Sequence, residues 1–93
     1  IPLSEGRVTL PWGSEILVNP RETIGKSLFH FGVYDLSLSE CLWRLAQPGM
    51  NVLDIGANVG YFSSLLSKKV GPQGKVFSFE PHPEIFKKLK HNI

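Results

Sequence analysis

The stretch VLDIGANVGYF, residues 52–62, limits the fold more than any other part of the chain. An apolar run carrying one acid, Asp54, gives way to Gly56, Asn58 and Gly60 before the chain turns apolar again. The run lacks the polar alternation of a half-solvated strand, so it reads as a parallel strand covered on both faces. The glycines mark a tight passage from that strand into a helix. Gly56 lets the chain turn where a side chain would obstruct it, and Asn58 adopts positive φ more readily than most residues. Gly60 lets the helix start close to the strand and to a ligand. The N–H groups at a helix N-terminus receive anionic groups such as carboxylates and phosphates.

The flanking sequence extends this pattern. A helix runs from about residue 59 or 60 to 70, the segment 71–74 (GPQG) breaks it, and 75–80 (KVFSFE) is a second strand. Pro81-His82-Pro83 turns the chain, and Pro83 suits the first turn of a further helix with Ile85, Phe86, Leu89 and Ile93 on one stripe. Strand, helix, strand, helix predicts a right-handed parallel βαβ unit. Upstream, 37–46 (SLSECLWRLA) reads as a helix with Leu38, Cys41, Leu42 and Leu45 on its apolar face and a Ser37/Glu40 capping box. On that face Cys41 is a small core hydrophobe rather than a reactive thiol. Residues 7–10 and 15–19 read as strands joined by the turn Pro11-Trp12-Gly13-Ser14, which predicts a hairpin. The stretch 20–36 is less regular and reads as a loop with one short helical or extended piece.

Glu80 adds the discriminating group. It ends the second strand, twenty residues after Gly60, and in a βαβ unit the ends of adjacent strands are neighbours. A carboxylate there accepts hydrogen bonds from both hydroxyls of a ribose. Asp54 would orient the loop or accept from a ligand's ammonium group. Together the two motifs predict a nucleoside ligand lying across two strand ends. His82 reads more simply as an exposed turn residue than as a partner of a base. Tyr61 and Phe62 read as helix packing, with the Tyr61 hydroxyl within reach of a ligand. His30 and His91 read as surface residues.

Composition bounds the alternatives. The chain has 93 residues, 42% hydrophobic and 19% charged, which is a globular composition. A net charge of +2 without a basic stripe argues against a nucleic-acid partner. The single cysteine allows no intrachain disulfide, no Cys/His cluster has metal-ligand spacing, and the usage fits a reducing, cytoplasmic setting. No apolar run approaches the roughly 20 residues of a membrane span, and no signal-peptide pattern opens the chain. It begins with Ile1, as a piece of a longer chain would.

VLDIGANVGYFS together with GKVFSFEPHPEIFKKLKHNI resembles the FkbM family of S-adenosylmethionine-dependent methyltransferases. The first block matches the glycine-rich motif D-x-G-x-(G/N)-x-G, the FEPHPE block matches the acidic motif after the second strand, and GVYDLSLSECLWRLAQPG is similar to the segment upstream. The resemblance covers residues 30–93 and implies a partial Rossmann-like α/β methyltransferase fold: an N-terminal hairpin and helix, then the βαβα half of a parallel sheet. Residues 1–29 stand apart as a variable N-terminal extension. It also implies S-adenosylmethionine as cofactor and methyl transfer to an oxygen of a small molecule or glycan. Asp54, Gly56, Ala57, Asn58 and Gly60 would surround its methionine part, with Tyr61 beside them. Glu80 would hold the ribose, Pro81 and His82 would lie towards the adenine, and Tyr34 and Asp35 would border the site. No catalytic base is identifiable; the resemblance places it beyond Ile93, and the isolated chain is expected to be inactive. Two rivals are a nicotinamide-dinucleotide half-domain, against which the spacing Gly56-Ala57-Asn58-Val59-Gly60 argues, and a non-catalytic fragment or interaction module.

Overall fold

The structure, a computed structural model, describes residues 6–93; the first five residues of the expected extension lie outside the described residues. Strands β1 (Gly6–Thr9) and β2 (Glu15–Val18) form an antiparallel hairpin with Gly6 opposite Val18 and Thr9 opposite Glu15. Helices α1 (Thr23–Phe31) and α2 (Leu36–Leu45) follow. Then come β3 (Asn51–Ile55), α3 (Tyr61–Val70), β4 (Lys75–Phe79) and α4 (Pro83–Asn92). β3 and β4 pair in parallel, with Asn51 beside Lys75 and Ile55 beside Phe79, so β3-α3-β4 is the expected βαβ unit.

Over 20–36, where a loop with one short helical or extended piece is expected, α1 takes up nine residues. Its N-cap, Glu22, makes no side-chain cap bond, and Thr23, Ile24 and Gly25 are weak helix formers, so local signals were faint. Packing supplies what propensity lacks: Leu28 is buried in the core, and Gly32 ends the helix in a left-handed conformation with its N–H donating to the Leu28 carbonyl.

α2 forms where expected but is capped and oriented differently. Asp35, not Ser37, is the N-cap, its Oδ1 accepting from the Leu38 N–H at 3.2 Å. The inward face carries Ser39, Leu42 and Ala46. Cys41 is exposed, and Leu38 and Leu45 face outward. The cause is the Ser39 hydroxyl, which donates to the Tyr34 carbonyl at 2.7 Å and meets the Tyr61 hydroxyl at 2.9 Å. A buried hydroxyl with two partners is cheap to bury, and satisfying it turns the leucine stripe away from the core.

One core joins the hairpin to the βαβ unit. Leu10, Ile16, Val18 and Leu28 pack with Val59 and Tyr61, while Leu65 and Leu66 pack with Ala46. The turn is anchored as well: the Trp12 indole N–H donates to Ser64 Oγ at 2.9 Å, and its ring meets Tyr61 edge-on. A boundary between residues 29 and 30 falls inside α1, and Leu10 and Leu28 on one side of it share a cluster with Tyr61 on the other. The sheet is two-faced. Val52 and Val76 pack towards α3, whereas Leu53 and Ile55 on β3 and Phe77 and Phe79 on β4 are exposed on the opposite side, so cover on both faces is absent among the described residues. No helix among the described residues is long and apolar enough to cross a membrane.

Asn92, in the last turn of α4, ties three elements. Its Oδ1 accepts from the Leu17 N–H at 2.9 Å, and its Nδ2 donates to the carbonyls of Leu17 at 3.0 Å and Val59 at 2.8 Å. The amide thus pairs the edge of β2 as a neighbouring strand would and holds the glycine-rich turn. Asn92→Ala strands these backbone groups, so urea unfolding followed by tryptophan fluorescence is expected to show a loss of about 1–3 kcal/mol.

Candidate functional site

The site is the edge where β3 and β4 end. β3 stops at Ile55 and the chain reverses over β4. The N–H groups of Gly56 and Ala57 both donate to the Phe79 carbonyl, at 2.8 and 2.9 Å. Gly56 (φ +75°) and Asn58 (φ +53°) take the positive-φ conformations the turn requires. The Gly60 N–H closes the turn onto the Ala57 carbonyl at 3.0 Å. Gly60 has φ +100° and no side chain, and a Cβ there would stand 3.1 Å from Leu89 Cδ1 and 3.4 Å from Ile93 Cγ2. It therefore lets α4 close on the start of α3, and it leaves the first-turn N–H groups of α3 without a side-chain cap.

Glu80 spans the two loops. Its Oε1 accepts from the Asn58 N–H at 2.9 Å and its Oε2 accepts from the His82 N–H at 3.1 Å. The carboxylate is half-buried and locked in orientation. A carboxylate has about four lone-pair positions, so two backbone donors leave acceptor capacity for further hydroxyls. Beside it, Ser78, Phe79, Glu80, Pro81 and Phe86 line a cleft of about 330 Å³. A methyl group built on Gly56 would meet nothing within 4 Å, so the space above the turn is open to a ligand.

Asp54 lies one residue before the end of β3, facing α3. Its Oδ2 accepts from Ser63 Oγ at 2.6 Å, and Ser63 Oγ lies 2.5 Å from Ser78 Oγ.

The structure separates the residues expected at the site into two groups. Gly56, Asn58, Glu80, Pro81 and His82 line the accessible edge, and Asp54 lies half-buried behind it. Ala57, Gly60 and Tyr61 are buried. Tyr61, read as helix packing and set beside the cofactor only by the resemblance, has its ring in the core and its hydroxyl on Ser39. His82 caps α4, its Nδ1 accepting from the Ile85 N–H at 3.4 Å, and its ring is exposed. Tyr34 packs on Tyr61 and Phe62, and Asp35 is spent on capping α2. Sequence reasoning missed Ser63, Ser78 and Phe86. Ser78 was discoverable: laying VLDI beside VFSF in parallel register puts it opposite Asp54. No group of three or more His, Cys, Asp or Glu residues that would hold a metal occurs among the described residues.

A model of the family described as protein-L-isoaspartate(D-aspartate) O-methyltransferase matches residues 21–93. Among curated proteins, the protein-L-isoaspartate O-methyltransferase of Aeropyrum pernix is 45% identical over 47 residues, 50% of this chain and 18% of that protein. The protein of the same name from Triticum aestivum is 35% identical over 54 residues, 58% of this chain and 24% of its own length. An arsenite methyltransferase of Halobacterium salinarum is 37% identical over 46 residues, 50% of this chain and 12% of its own. The chain thus spans less than a quarter of each of these relatives. No solved structure matches. The matching family differs from the FkbM family that residues 30–93 resemble; methyl transfer is common to the two names.

Gly60→Ala places a Cβ in a left-handed conformation against Leu89 and Ile93. Thermal melts should register a loss of roughly 1–3 kcal/mol, whereas Gly13→Ala, in open space at φ +92°, should cost less.

Proposed function

The chain belongs to the protein-L-isoaspartate(D-aspartate) O-methyltransferase family, and on that premise we propose that it forms the cofactor-binding part of an S-adenosylmethionine-dependent O-methyltransferase. The observation that carries this reading is Glu80, held by the Asn58 and His82 N–H groups at the junction of both loops with acceptor capacity left over. Bound there, S-adenosylmethionine supplies a methyl group on an electrophilic sulfonium. Glu80 would accept from the two ribose hydroxyls. Gly56, by lacking a side chain, would admit the ligand against the backbone of the turn. The uncapped first turn of α3 would face the carboxylate of the amino-acid part, and Asp54 its ammonium group. Pro81, His82 and the cleft with Phe79 and Phe86 would receive the adenine. The chain's own contribution is placement: a site tied by backbone hydrogen bonds before the ligand arrives loses little order on binding.

For the acceptor, the family points to the free α-carboxyl of an isoaspartyl residue, the group left over where the polypeptide runs through the side-chain carbonyl. The arsenite methyltransferase matches the same share of this chain, half of it, as the Aeropyrum pernix protein does, as expected if the shared segment serves the cofactor and not the acceptor. A small-molecule or glycan hydroxyl is the second reading, favoured by the Phe79-Glu80-Pro81-His82-Pro83-Glu84 turn with its similarity to the FkbM family.

Calorimetric titration tests the cofactor. S-adenosylhomocysteine is expected to bind and NAD not to, with Glu80→Ala weakening the former by a hundredfold or more, about 2.7 kcal/mol; binding of NAD alone would overturn the reading. For the acceptor, a methyltransferase that contains this segment, given labelled S-adenosylmethionine, should methylate an isoaspartyl peptide and not its aspartyl counterpart. Base-stable label on a glycan, with no base-labile ester on the peptide, would favour the second reading.

A further inference from the structure

Asp54 and Ser78 are register partners on β3 and β4, and Ser63 reaches both from α3. Ser63 is buried, 2% exposed, on a helix face otherwise made of Tyr61, Leu65, Leu66 and Val70. A hydroxyl among such neighbours is costly unless it is bonded, and here its partners are the carboxylate and the second serine. The proton count gives the chain a direction. Ser63 has one hydroxyl proton, and an ionised carboxylate only accepts. That proton is therefore committed to Asp54 Oδ2, and the 2.5 Å contact must have Ser78 donating to Ser63. The chain runs one way, from Ser78 through Ser63 to Asp54, and each donation strengthens the next.

We infer that Ser63, backed by Ser78, is a positioning residue for the amino-acid end of the cofactor. It pins one oxygen of Asp54 so that Oδ1 is presented to the ligand's ammonium group. The inference rests on the cofactor site proposed above. Ser63 and Ser78 touch no ligand in this arrangement; they act through Asp54. Glu80 lies on the other loop and serves the ribose, so the two ends of the ligand report on the two acids separately.

The experiment titrates the full chain and its Ser63→Ala variant with two compounds. S-adenosylhomocysteine carries the amino-acid end; methylthioadenosine keeps the adenosine and the thioether and lacks it. Ser63→Ala should weaken S-adenosylhomocysteine roughly tenfold, the scale of a hydrogen bond to a charged group, and leave methylthioadenosine within about twofold. Ser78→Ala should produce the same selective loss at smaller size, and it carries the comparison if Ser63→Ala does not fold. Equal weakening of both compounds would overturn the inference, because the serines would then serve only the fold. Unchanged binding of both would overturn it too, because Asp54 would not depend on them. A wild-type chain that binds neither compound would instead overturn the cofactor site itself, and the inference with it.

Discussion

Everything at the edge of the sheet depends on how the end of β4 holds the turn after β3. The Phe79 carbonyl accepts two successive N–H groups, from Gly56 and Ala57, and the next residue, Glu80, accepts a third, from Asn58. The last residue of β4 and the residue after it therefore fix three consecutive residues of the opposite loop. Glu80 also holds its own downstream loop through the His82 N–H. These bonds satisfy backbone donors that the sharp reversal takes out of the sheet ladder. They also leave a carboxylate with a defined direction at the point where a parallel sheet offers its binding edge.

The rest of the molecule presses that edge into place. Val59, inside the glycine-rich turn, is buried with residues of the hairpin and α1. The Asn92 amide reaches the Val59 carbonyl from α4 while pairing with Leu17. Tyr61, the first residue of α3, fills the core, and its hydroxyl engages Ser39 of α2. The turn is thus gripped by the hairpin, by α2 and by α4, and Gly56 and Asn58 stay exposed at the end of the sheet. The hairpin belongs to this grip. By contrast, the face of Leu53, Ile55, Phe77 and Phe79 is open.

Legibility from sequence varied with the range of the cause. The hairpin, β3, α3, β4 and α4 were readable because turn chemistry, glycine breaks and an N1 proline act within a few residues. So was Glu80, because a βαβ unit brings successive strand ends together. α1 was not readable: its first turn has no side-chain cap, and its stability comes from Leu28 packing under a hairpin that local periodicity does not reveal. The orientation of α2 was misread for a related reason. Counting apolar residues favours Leu38, Cys41 and Leu45, but a serine bonded to the Tyr34 carbonyl just before the helix and to the Tyr61 hydroxyl across the core outweighs them. Tyr61 was legible as helix packing, and its ring lies in the core with its hydroxyl on Ser39.

The sequence by itself determined the order of elements, the glycine-rich reversal after Asp54 and the acid at the end of the second strand. Each follows from steric and hydrogen-bonding preferences of residues close together in the chain. The tertiary structure decided which faces turn inward, which predicted site residues keep their side chains at the surface, and which serines complete Asp54. Those outcomes depend on groups far apart in sequence that satisfy one another's buried hydrogen bonds, and the cost of leaving such a bond unmade exceeds any local preference.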